Sequence, residues 1–331
     1  MAAPESAPDN DATSLNLGPD AGRTAVEQLD ALLRDSDRIA HQQNRRKVNQ
    51  RNPPTKSDKL KCVLISCEKR SLISELEELW DYRELIFSFV RRDLTTRYRQ
   101  TILGVGWAIV QPVCMMLVFT LFLGRFVHAP TDNCPYPVFV YTALLVWQYI
   151  SVSLTKCSNS VLDAGSLIKK VYFPRLCVPV ASVIPALIDF SIGLVSLTVL
   201  MAFYGMVPSW HIVFLPLFIA LAITTSLGLG LWAGALHVRY RDVHHIVPFG
   251  LQLWMFASPV IYSSAQIPSY LKPLSGFNPL VGILEGFRWS VLGTAGDIVV
   301  PTILSASVSL LLLLSGFAHF RSVEDLFADY L

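Results

Sequence analysis

The chain has 331 residues, of which 52% are hydrophobic and only 16% charged, and its formal net charge is +2. An ordinary soluble domain holds about 45–50% apolar residues with glycine included and about 25% charged. Together with a mean hydropathy of +0.45, this balance excludes such a domain and indicates a membrane protein. The first twenty residues, MAAPESAPDNDATSLNLGPD, lack both a basic start and an apolar core. No cleavable leader is therefore expected, and the N-terminus is expected in the cytoplasm. Residues 1–70 are polar and rich in Asp, Gln, Asn and Pro, too poor in apolar groups to bury a core. They read as a disordered extension, with one exposed helix expected in AVEQLDALLRDSDRIAHQQ.

From Leu79 the character changes, and 71–106 read as an interfacial region. Apolar residues recur at Tyr82, Ile86, Val90, Leu94, Tyr98 and Ile102, while Arg91, Arg92, Thr95 and Arg99 fall elsewhere on the wheel. That spacing predicts an amphipathic helix lying in the membrane interface, its arginines at headgroup phosphates. Residues 107–321 follow as an all-α polytopic domain. Six spans are expected at about 107–127, 136–155, 178–204, 211–236, 246–263 and 299–320, each near the ~20 residues that cross a bilayer. Pro185 is a candidate kink in the third. Residues 322–331 are a short tail.

Loop charge orients these spans. One side carries the arginine helix, Lys156, Lys169, Lys170, Arg175, Arg239, Arg241 and Arg321; the other carries Arg125, Lys272 and Arg288. The positive-inside rule places both termini in the cytoplasm. Asn278 to Gly293, NPLVGILEGFRWSVLG, is helix-like, with Asn278 as N-cap and Pro279 in the first turn. It is too short to cross, and Glu285, Arg288 and Trp289 would be costly in hydrocarbon, so a re-entrant or interfacial helix on the outer side is expected.

Nothing resembles an active site. There is no phosphate-cradling G-x-x-x-x-G-K-[ST] loop, no defensible Ser-His-Asp arrangement, and His244 and His245 are adjacent and poor co-ligands. The six cysteines show no metal-like pairing, and only Cys134 is expected outside the membrane. No catalytic residue, metal or cofactor is expected in the chain, and no nucleic-acid partner. Two basic segments, AGSLIKKVYFPR (164–175) and HVRYRDVHHIVPF (237–249), read as short helices able to dock a cytosolic partner, or as plain positive-inside anchors. Asp189 lies mid-span, as a proton site or, preferably, a structural group bonded to a neighbouring helix. Gly230 and Gly234 form a G-x-x-x-G suited to close helix packing. Trp107, Trp147, Tyr149, Trp210, Trp254, Tyr262 and Trp289 are belt aromatics, or in part conduit faces for sugars; the sequence does not sort them.

The run from Leu79 to Phe126 resembles the start of the membrane subunits of ABC-type polysaccharide exporters, which move O-antigen (lipopolysaccharide), teichoic acid or capsule chains. KKVYFPR, VRYRDVHHIVPFGLQLWMFASPVIY and NPLVGILEGFRW match the same family in the same order, over about residues 79–321. The resemblance implies a non-catalytic permease with six transmembrane helices in the plasma (inner) membrane. Two copies would form a continuous pore and bind two ATPase subunits, which would use the ATP and magnesium. Residues 83–101 would be a gate helix. The loops at 164–175 and 237–245, with Lys169, Lys170, Arg175, Arg239, Tyr240, Arg241 and Asp242, would contact the ATPases. Residues 265–296, with Asn278, Glu285, Arg288 and Trp289, would form an outer re-entrant pair. The 70-residue extension departs from the pattern. On this reading Arg91, Arg92, Arg97 and Arg99 recruit the phosphorylated headgroup of a lipid-linked glycan, or else only anchor the helix to membrane lipids. Two further readings stay open: a glycosyl- or phosphoglycosyl-transferase acting on polyprenyl phosphate, with Asp163 and Asp242 as scattered acidic candidates, and an ion-coupled carrier using Asp189.

Overall fold

Tyr136–Asp163 contains no glycine, and Pro137 sits in its first turn, where a missing N–H costs nothing. This 28-residue helix, α4, is buried along most of its length. The computed structural model describes residues 72–99, 104–127, 134–268, 270, 275–294, 298–324 and 327. The N-terminal extension with its expected helix, Cys62, Cys67, Lys272 and the side chain of Arg125 lie outside the described residues.

Before α4 come α1 (Leu72–Asp81), α2 (Arg83–Tyr98) and α3 (Trp107–Phe119), the last continued by wider π turns over Thr120–Val127. After it come α5 (Cys177–Phe203), α6 (Leu215–Arg239, entered through a 3₁₀ turn at Trp210–Phe214) and α7 (Val243–Ala257). The last two are α8 (Pro279–Leu292) and α9 (Val299–Glu324). Among the described residues every regular element is helical. Helix α4 packs against α3, α5, α6, α7 and α8, and α9 lies against α6 and α8. Pro185 lies inside α5, which continues through it.

The sequence leads to six spans; among the described residues five helices are long and apolar enough to cross a bilayer, at 107–124, 136–163, 177–203, 210–239 and 299–324. The difference lies at 246–263. There α7 has 15 residues, about 22 Å at 1.5 Å per residue, against a hydrocarbon core of about 30 Å. Its end is local chemistry: Ser258 precedes Pro259, and a residue before proline is pushed out of the helical region. Ser258 is extended, at φ −113° and ψ 150°.

Backbone that leaves a helix inside a membrane protein must find its hydrogen bonds within the protein. The Arg288 side chain supplies them: Nη1 donates to the Pro259 carbonyl at 2.8 Å and Nη2 to the Val260 carbonyl at 2.7 Å. Its guanidinium carbon sits 3.7 Å from the centre of the Phe139 ring on α4. Asn278 closes the same corner. Its Oδ1 accepts from Leu280 N and from Trp254 Nε1, and its Nδ2 donates to Ser258 Oγ at 2.9 Å.

Glycines set the closest helix approaches. A Cβ on Gly230 would stand 2.5 Å from Cys157 Sγ of α4, and one on Gly228 would stand 2.6 Å from the Leu313 nitrogen of α9. The expected pair at Gly230 and Gly234 thus faces α4, while Gly228 and Gly316, which no motif announced, bring the α6 and α9 backbones together.

Candidate functional site

Helix α2 has no membrane-spanning length, yet its apolar face is anchored. Phe89 and Val90 are buried among Ala164, Phe173, Cys177, Val178 and Ala181, with Tyr82, Leu85, Ile86 and Leu94 packed beside them. Tyr82, Ile86, Val90 and Leu94 thus lie on the packed side of α2, which is pressed against α5.

The four arginines fare differently. Arg91 and Arg99 are exposed. Arg92 pairs with its neighbour Asp93 at 3.1 Å and lies over the Phe89 ring. Arg97 reaches into the bundle, where its Nη1 meets Asp189 Oδ2 at 2.5 Å. The Tyr98 hydroxyl donates to the other Asp189 oxygen. Burial first, then the Asp189 bond, pushes the Tyr98 phenol up to about 12, so it stays a donor. Asp189 thus ties α2 to α5.

Two cavities adjoin this tie, and a third adjoins the second of them. The first, about 370 Å³, is lined by Arg92, Asp93, Arg97, Lys156, Asp163 and Ser182 among others. A second, about 190 Å³, holds Arg97, Tyr98, Asp189, Trp107, Gln111 and Tyr149. The third, about 390 Å³, is lined by Gln111, Trp147, Gln148, Thr155 and Gln252 with apolar neighbours. Arg97, Val152 and Ala186 belong to both the first and the second. Gln111, Pro112 and Gln148 belong to both the second and the third. The set thus leads from a basic, half-open mouth to an uncharged polar groove beside Trp147 and Trp254, whose rings meet edge-on at 6.1 Å.

Sequence reasoning missed that groove, and used Lys156 only as an orientation charge. A signal was present: Gln148, Ser151 and Thr155 stand at i, i+3 and i+7, one face of α4.

The two basic loops differ from expectation. Where 164–175 reads as a short helix, only Gly165–Ile168 makes a helical turn, and the chain is non-helical to Pro174. Val171, Tyr172 and Phe173 are poor helix formers, and Phe173 precedes proline. Lys169 and Lys170 are exposed, but Arg175 is half-buried with its guanidinium over the Phe327 ring at 5.9 Å, so it packs inward. The second segment is not one helix from 237 to 249. Tyr240 is extended, at φ −126° and ψ 108°, and separates α6 from α7. Arg239, Tyr240, Arg241 and Asp242 are all exposed at that break.

At the opposite end the expected helix stands as α8, with Asn278 as N-cap and Gly293 left-handed at its C-terminus. Arg288 is buried at 3% and packs inward, as described. Trp289 is half-buried against His211, ring centres 4.1 Å apart. Glu285 lines a cavity of about 480 Å³ with Ser263, Ser264 and Ser305. Of the outer pair expected over 265–296, α8 is described in full and Ser275 and Gly276 before it are helical, while 269, 271–274 and 295–296 lie outside the described residues.

Comparison with known proteins fits this architecture. Residues 84–292 match the family model described as ABC-2 type transporter. The chain is 33% identical over 261 residues to the O-antigen export system permease protein RfbA of Myxococcus xanthus, covering 78% of this chain and 99% of that one. A protein of the same name from Klebsiella pneumoniae is 26% identical over 62% of this chain and 79% of its own. The polysialic acid transport protein KpsM of Escherichia coli is 26% identical over 71% of this chain and 91% of its own.

Proposed function

This chain belongs to the ABC-2 type transporter membrane family, and on that premise we propose that it is the permease half of an ATP-driven exporter of a lipid-linked polysaccharide. Its relatives' names point to O-antigen or polysialic acid as the class of cargo. One observation carries the reading: the run of cavities from Arg92 and Lys156 to the Gln111, Gln148 and Gln252 groove. Cations at the mouth suit a phosphorylated headgroup. Uncharged amides and indole rings further in suit sugar hydroxyls and sugar faces.

The groove is half of a conduit. Helices α3 and α7 bury little of their surface within the chain, with Met115, Leu117, Phe249, Leu253 and Phe256 exposed, yet they carry Gln111 and Gln252. A second copy facing this side would close the groove, giving a homodimer. In the plasma (inner) membrane with both termini cytoplasmic, α7 and the Ser258–Tyr262 turn together make the sixth crossing, and α8 is re-entrant on the outer side. The exposed Lys169, Lys170 and Arg239–Asp242 face two ATPase subunits, which hold ATP and magnesium.

The transferase alternative requires acidic ligands gathered at the basic end. Among the described residues Asp163 and Asp242 stand on different elements, and no group of three or more His, Cys, Asp or Glu side chains comes together.

Purification tests the assignment: two copies of this chain are expected with two copies of an ATPase. A monomer that transfers a sugar or phosphosugar alone overturns it. Substituting Arg91, Arg92, Arg99 or Lys156 singly with glutamine separates recruitment from anchoring. Lys156→Gln and Arg92→Gln are expected to lower export about tenfold at normal membrane insertion, the worth of one hydrogen bond to a charged group. Export at the parent rate in every variant removes headgroup recruitment.

A further inference from the structure

The Arg97–Asp189 pair stands where the mouth cavity meets the inner one, and its two members are not equally reachable. Arg97 borders both cavities, whereas Asp189 borders only the inner one. The Arg97 side chain is 36% exposed and that of Asp189 15%. An anion arriving past Arg92 and Lys156 meets the Arg97 guanidinium from one side while Asp189 holds it from the other.

We infer that Asp189 occupies the place that a phosphate group takes on Arg97 when cargo enters, so that the pair is a latch opened by anion exchange. The inference rests on the transport reading and adds to it a trigger. A guanidinium binds carboxylate and phosphate through the same planar fork, so the two compete for one set of donors. With Arg97 drawn to phosphate, the Tyr98 bond to Asp189 remains between α2 and α5 at this level. The wall between the two cavities then opens, and the adjoining cavity admits water to the freed carboxylate. The mouth is not uniformly positive: Asp93 and Asp163 line it too, but Asp93 is already paired with Arg92.

This latch makes a prediction of unusual sign. Removing a merely structural carboxylate weakens a site; removing a competitor tightens it. The full chain, with its companion ATPase, is placed in nanodiscs of phosphatidylcholine and titrated calorimetrically with inorganic pyrophosphate. Asp189→Asn is expected to bind about tenfold tighter than the parent, the effect of deleting one charged hydrogen-bond partner. Tyr98→Phe, which takes away the donor that remains on Asp189 when Arg97 leaves it, is expected to weaken binding about threefold, and it carries the test if Asp189→Asn does not assemble. Arg97→Gln is expected to lose binding.

Adding phosphatidylglycerol distinguishes the source of the phosphate. Weaker pyrophosphate binding there assigns the latch to bilayer headgroups, and unchanged binding assigns it to the phosphate of incoming cargo. Equal or weaker binding in Asp189→Asn, equal or tighter binding in Tyr98→Phe, or parent-like binding in Arg97→Gln overturns the latch. If the ATPase still copurifies in that case, the transport reading stands without it.

Discussion

Taking a guanidinium out of water is costly unless its donors find acceptors, and Arg288 finds them in the carbonyls of Pro259 and Val260. Arg288→Met is expected to lower stability by about 3 kcal/mol or more, since each buried carbonyl left without a donor costs roughly 1–3 kcal/mol. Arg288→Lys is expected to rescue little, because an ammonium lacks the fixed fork that serves two carbonyls at once. Thermal unfolding in detergent reads both; a parent-like Tm for Arg288→Met removes this role. What was legible at this scale is local chemistry. Asn278, Pro279 and Gly293 announce α8 because capping acts within a few residues. The bonds of Arg288 to Pro259 and of Arg97 to Asp189 span 29 and 92 positions, and only the folded bundle brings those groups together.

Helices α6 and α9 meet through Gly228 and Gly316, where a Cβ on Gly316 would stand 2.3 Å from the Gly228 carbonyl oxygen. Gly316→Ala is expected to cost about 1–3 kcal/mol, as overpacking of a close contact does. Gly250→Ala in α7 meets nothing within 4 Å and is expected to cost no stability, since alanine is the better helix former. Equal unfolding temperatures for the two variants contradict the close packing. The long helices were legible from apolar length alone, and their ends came within a few residues except where a helix runs on past its apolar stretch, as α4 does to Asp163. The stops at Tyr240 and Ser258 were read through, the first because no proline or glycine marks it. At the second, the apolar run on either side hides the Ser258–Pro259 step. Amphipathicity placed α2 on a surface, but not which surface; its contact with α5 depends on Phe173 and Cys177, which lie outside it.

The described residues form a bundle with one helix, α4, at its centre, and two sparsely covered helices, α3 and α7, on the side where the polar groove lies. Composition and loop charge gave a polytopic protein and its basic end, since both are sums over the chain. The path between α2 and the groove is a product of packing, and no sum contains it. On the proposed reading, transport in one direction draws its driving force from a partner ATPase. The most direct measurement is translocation of a lipid-linked glycan into sealed proteoliposomes that contain this chain with or without its ATPase, with and without ATP. Accumulation is expected only with chain, ATPase and ATP together. Accumulation at the same rate with the ATPase left out would contradict a permease driven from outside.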